Sequence, residues 1–133
     1  MKVKVIIYKA SDGTYWCRTE SEVYGCMLNG CGGNVEEAKE DMNACLEEAR
    51  LDYEETHSTT PYTVSFLYRY DLQSFFDYFS FLNISEIARR SGINPSLMRQ
   101  YVSGNKAAGE KTYSKLSACI TNITNELQAA SFR

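Results

Sequence analysis

"ISEIARRSGINPSLMRQYVSG", residues Ile84–Gly104, decides how this chain of 133 residues is read. Asn83, just before it, and Glu86 can cap a helix start, because both side chains reach amide groups that the first helical turn leaves unpaired. Gly92 tolerates the left-handed backbone that ends a helix, and Pro95 suits the first turn of the next one. The stretch therefore predicts two short helices meeting at one glycine. Helices that cross steeply need a small residue where they touch, and Ala88 supplies it. Ile93 fills the inside of the turn, Ile84 and Ile87 anchor the first helix, and Leu97, Met98, Tyr101 and Val102 form the packing side of the second.

Ser96, Arg99, Gln100 and Ser103 follow i, i+3, i+4, i+7 spacing, so they project together from the face opposite that packing side. Arginine can donate twice to guanine O6 and N7, glutamine can pair with adenine N6 and N7, and serine is permissive. Asn94 at the helix entrance, with Arg89, Arg90, Lys106 and Lys111 around it, supplies candidates for phosphate contacts that set the register. These residues predict a DNA-binding helix-turn-helix. A helical hairpin whose polar face is merely solvated would show the same period.

Outward from this stretch, "DLQSFFDYFSFL" predicts a preceding helix with Leu72, Phe75, Phe76 and Phe79 on a buried stripe. "EKTYSKLSACITNITNELQAA" predicts a following one, with Tyr113, Leu116, Ile120, Ile123, Leu127 and Ala130 on one seam, either core or dimer contact. One reading module makes few base contacts. Two placed about 34 Å apart can read both halves of a near-palindromic operator, so a homodimer or higher homo-oligomer is expected.

Before Tyr70 the period is two. "KVKVIIY" sets Val3, Val5 and Ile7 on one face and Lys2, Lys4, Ile6 and Tyr8 on the other. The Asp12-Gly13 pair signals a hairpin into "TYWCRT", and a third short strand fits around "YGCMLNG". Asn34 and Glu37 can cap a helix whose stripe is Val35, Ala38, Met42, Cys45, Ala49 and Tyr53. Its acidic residues Glu36, Glu37, Glu40, Asp41, Glu47 and Glu48 lie largely off that stripe, as a solvated face would. "HSTTPY" reads as a polar loop and "YTVSFLYRY" as a fourth strand. The expected fold is α+β: a β-β-β-α-β domain over residues 1–70 and an all-α domain over 71–133.

The net charge is −3, unevenly spread. Met1 to Tyr70 holds seven Lys/Arg against twelve Asp/Glu, whereas Asp71 to Arg133 holds seven against five. The halves thus suit different partners. No apolar run reaches the length of a bilayer span, and the opening residues lack one of signal-peptide length, so a cytoplasmic protein with no membrane partner is expected. Five cysteines without a C-x-x-C pair read as reduced thiols. Cys26 and Cys31 have only His57 as a possible imidazole companion, which predicts no metal site and no cofactor.

At "INPSLMRQYVSGNK", Ile93–Lys106, the second half resembles the Xre/Cro-like helix-turn-helix group, and especially the tail domain of HicB-type antitoxins. "YGCMLNGCGGNVEEAKEDMNACLEEA", Tyr24–Ala49, is similar to the partial RNase H-like unit with which those antitoxins begin. Gly25-Cys26 and Glu37-Ala38 match its pattern; Tyr24 stands where proline is usual and Asn34 where threonine is usual. The resemblance implies an antitoxin whose first domain binds and blocks a small basic HicA-type mRNA interferase while the second represses the operon's own promoter. An acidic first half complements such a toxin. An enzyme is not expected, because RNase H chemistry needs carboxylates on sheet and helix around two metal ions, and the first two strands have none. A stand-alone regulator whose first domain senses a ligand or only dimerises shares the DNA prediction; the first half alone separates the two.

Overall fold

The computed structural model describes all residues, Met1–Arg133. The protein is mixed α+β, with one four-stranded sheet and five helices. It divides into two compact units, Met1–Tyr78 and Phe79–Arg133.

In the first unit β1 (Lys2–Lys9), β2 (Tyr15–Thr19), β3 (Asn29–Gly32) and β4 (Ser65–Tyr70) lie in the order β3-β2-β1-β4. β1 is antiparallel to β2, and β2 to β3; β1 and β4 are parallel. A parallel neighbour cannot be reached through a tight turn. The long helix α1 (Val35–His57) lies between β3 and β4 in the chain and provides the crossover. It covers the face carrying Val3, Val5, Ile7 and Cys17, and buries Val35, Ala38 and Met42 against them. Each fully buried valine, isoleucine or methionine side chain among these contributes about 1.5–3 kcal/mol. β3 comes so close to α1 that a Cβ on Gly30 would lie 2.5 Å from the Met42 nitrogen and 2.6 Å from the Ala38 oxygen. Only glycine fits there.

The third strand is shorter than its sequence suggests and starts at Asn29 rather than near Tyr24. Val23 and Cys26 instead bridge a tight turn in which Tyr24 and Gly25 both take positive φ, 53° and 80°. Tyr24 is held there by burial and by hydrogen bonds in both directions: its N–H donates to the Tyr62 hydroxyl at 2.9 Å, and its own hydroxyl donates to the Tyr62 carbonyl. An aromatic anchor thus overrides the β propensity of the segment. His57 is not in the loop after α1 but on its last turn, stacked on Tyr53 at 4.0 Å between ring centroids.

The first unit also runs past Tyr70. Asp71 caps α2 (Leu72–Tyr78) by accepting from the Ser74 N–H at 2.8 Å and also accepts from the Lys9 N–H at 3.2 Å. The Tyr15 hydroxyl donates to Asp77 at 2.5 Å. These bonds tie α2 to β1 and β2, so it belongs with the sheet although its period is helical. It stops at Tyr78, short of the predicted Leu82, and Phe79 lies outside its stripe.

The second unit contains α3 (Ile84–Ser91), α4 (Pro95–Ser103) and α5 (Glu110–Ala129). Ile87, Ala88, Ile93, Met98, Leu116 and Cys119 form its buried centre. Along α5 the expected seam is partial: Leu116 is buried, Ile120 and Ile123 are half-buried, and Tyr113, Leu127 and Ala130 are exposed. Cys119 takes an inward place. No helix is long and apolar enough to cross a membrane.

Candidate nucleic-acid interface

Caps hold α3 and α4: those at Asn83 and Gly92 are the ones the sequence predicts, whereas Asn94, read from the sequence only as a phosphate contact, proves to cap α4. The Asn83 side chain accepts from the Glu86 N–H at 3.0 Å, and that of Asn94 from the N–H groups of Ser96 and Leu97 at 2.9 and 3.2 Å. Gly92, at φ 74°, ends α3 by donating to the carbonyls of Ala88 and Arg89; Ile93 donates to Ala88 at 2.9 Å. Side-chain caps contribute about 1 kcal/mol each, which matters for helices too short to persist alone. Beneath α4, Met98 is fully buried, while Ala88 offers no side chain beyond its methyl to keep α3 away.

This packing fixes which side of α4 meets solvent. Ser96, Arg99 and Ser103 are exposed and Gln100 is half-buried, so the four-residue row lies along one outward side. Arg99 is its centre. Its guanidinium donates to the Ser96 hydroxyl and, across the helix pair, to the Ser85 hydroxyl, each at 3.2 Å. Ser85 was not among the sequence candidates, because its place beside Arg99 depends on the crossing of the two helices. Neutral hydroxyls hold the guanidinium in place without neutralising it, which leaves its charge available to an acceptor. The Ser103 hydroxyl donates back to the Gln100 carbonyl at 3.1 Å, so it is committed to the end of its own helix.

The five surrounding candidates divide. Asn94 spends its carbonyl oxygen on the cap and keeps its amide donors. Lys106 and Lys111 are exposed, just beyond α4 and on the first turn of α5. Arg89 pairs with Glu86, and Arg90 reaches Glu126 on α5 at 3.1 Å. Exposed ion pairs of this kind are worth about 0–1 kcal/mol, little enough for a phosphate to displace them. No family model, curated protein or solved structure matches the chain. With Asp71 and Asp77 in the first unit, the second holds seven Lys/Arg against three Asp/Glu.

On the first unit the acidic helix face is smaller than its run of carboxylates. Glu37 accepts from the Gly33 N–H at 3.0 Å, Asp41 accepts from the Cys31 N–H at 2.9 Å, and Glu47 pairs with Arg50 at 2.7 Å. All six carboxylates are exposed, but only Glu36, Glu40 and Glu48 make no hydrogen bond or ion pair. Sequence reading missed Lys39, whose ammonium donates to the Tyr70 hydroxyl at 2.6 Å and lies over the rings of Tyr78 and Tyr68 at 4.1 and 4.2 Å. Burial pulls its pKa down and pushes that of Tyr70 up, so the same desolvation disfavours the charged form of both partners. The signal for it, three tyrosines on β4 and α2 opposite one helix lysine, is non-local and cannot be read along the chain.

Proposed function

We propose that the second unit is a helix-turn-helix that binds duplex DNA, with α4 lying in the major groove and Ser96, Arg99 and Gln100 facing base edges. The observation that carries this reading is the pre-positioned, unneutralised Arg99 at the middle of an outward row, on a short helix fixed by caps and by Met98. Lys106, Lys111, Arg89 and Arg90 contact phosphates around it. Two copies bind the half-sites of a near-palindromic operator in the chain's own promoter, and the exposed outer part of α5 is available to join them. Occlusion of that promoter gives repression.

We further propose that the chain is a HicB-type antitoxin, its first unit a partial RNase H-like fold that neutralises a basic HicA-type toxin. The β-β-β-α-β order and the exposed carboxylates of α1 support this. The turn at Tyr24 departs from that family's usual pattern, since proline is confined to φ near −65° and could not take Tyr24's φ of 53°. Co-expression with the adjacent small gene tests the proposal. A neighbour that arrests growth alone, is harmless beside this chain and co-purifies with it supports the antitoxin reading. A harmless neighbour that never co-purifies leaves a stand-alone regulator, provided the promoter is still bound.

A further inference from the structure

The face of the sheet opposite α1 is built unlike the rest of its unit. The four strands contain no Asp or Glu, and their outward positions collect Lys2 and Lys4 of β1, Arg18 of β2 and Arg69 of β4. Neither helix of the unit lies on this side, since α1 covers the inward positions and Lys39 gathers α2 beside it. Of the four cations only Arg69 has a carboxylate partner, Glu20 at 3.5 Å. A unit acidic overall therefore presents one basic face.

That face also carries an aromatic pair in register. Tyr8 of β1 is opposite Trp16 of β2, both half-buried. The next outward row, two residues along and roughly 7 Å away, runs Arg18, Ile6, Arg69 across three strands. Lys4 and then Lys2 continue along β1. Aromatic rings at one end of a track of cations match the needs of unpaired nucleotides, whose bases stack on π faces while their phosphates follow positive charge. A duplex offers no free base faces to such rings. A second copy of the chain would set these cations against their own kind, and a basic protein would be repelled.

We propose that this sheet face is a second nucleic-acid surface, which takes single-stranded RNA or DNA by stacking bases on Tyr8 and Trp16 and by pairing phosphates with Lys2, Lys4, Arg18 and Arg69. It does not depend on the duplex-binding role of α4. The chain holds one tryptophan, so its emission reports this face alone. Titration of the full chain with decameric oligouridylate and oligothymidylate should quench that emission saturably, with affinity falling as salt rises. Tyr8→Ala should weaken binding about five- to a hundredfold, the range for loss of one stacked base. Arg18→Glu with Arg69→Glu should weaken it at least as much while duplex promoter binding and the circular dichroism spectrum stay unchanged. If that variant does not fold, Lys2→Gln with Lys4→Gln, at exposed positions, should still shift the salt dependence. A stronger response to the uridylate would identify RNA as the ligand, and to the thymidylate DNA. No quenching by either strand, equal affinity in the folded charge variants, or quenching produced only by a bound protein would overturn the proposal.

Discussion

Arg99 is the residue on which the DNA reading turns. Because it is exposed and hydrogen-bonds to the hydroxyls of Ser96 and Ser85, its removal strips no buried charge partner and opens no cavity in the core. Arg99→Ala should leave the melting temperature unchanged and cost about 1–3 kcal/mol in binding to the chain's own promoter, measured by fluorescence anisotropy. Cys17 tests the first unit instead. Burial pushes its thiol up to about 11, against 9.0 for an unburied cysteine, although the Lys39 ammonium pulls the other way. Between those values the unfolded chain releases a proton that the folded chain keeps, so rising pH favours unfolding. Half-buried Tyr68 and Tyr70, also raised, act in the same direction, whereas Lys39, lowered, opposes them. Cys17→Ala isolates one contribution: urea unfolding at pH 8 and pH 10.5 should show the parent losing about 1–2 kcal/mol more than the variant over that interval. Equal losses would mean that Cys17 does not hold its proton.

Two glycines separate the two ways an element can depend on having no side chain. Gly92 ends α3 at φ 74°, yet a Cβ there would meet nothing within 4 Å. Gly92→Ala should therefore cost only the backbone term, about 1 kcal/mol. At Gly30 the obstacle is the backbone of α1 itself, which cannot rotate away. Gly30→Ala should cost several times more and lower the melting temperature of the sheet unit, a contrast that paired thermal melts would read directly. The α3–turn–α4 element was legible in the sequence because Asn83, Gly92 and Pro95 act within a few residues of where they stand, as did the alternation of Val3, Val5 and Ile7. The start of β3 was not, since Tyr24 is placed by Tyr62, far along the chain. The home of α2 was equally hidden, because its helical period says nothing about the bonds from Asp71 and Asp77 back to β1 and β2. The same limit applied at the candidate interface: the row on α4 follows from spacing, whereas Ser85 beside Arg99 and the pairing of Arg90 with Glu126 need the helices in place.

At the scale of the whole molecule, charge is sorted by unit: an excess of carboxylates over the first, with four of its seven Lys/Arg on the outward sheet face, and an excess of Lys/Arg over the second. In the proposed complex the second unit neutralises phosphates and releases counterions, so duplex affinity should fall with salt by roughly 0.9 log units per log unit for each contact. With Lys106, Lys111, Arg89 and Arg90 in both copies of a dimer, raising salt fourfold should weaken promoter binding by about four orders of magnitude. Nuclease protection should then show two half-sites about 34 Å apart on one side of the duplex. The most direct test of the central claim, that the outward row of α4 reads base pairs, is selection from a pool of random duplexes by the full chain and by Arg99→Ala. The account predicts that the full chain enriches a near-palindromic motif and that the variant loses discrimination at one guanine in each half while still binding. Enrichment of no motif, or of the same motif by both proteins, would contradict it.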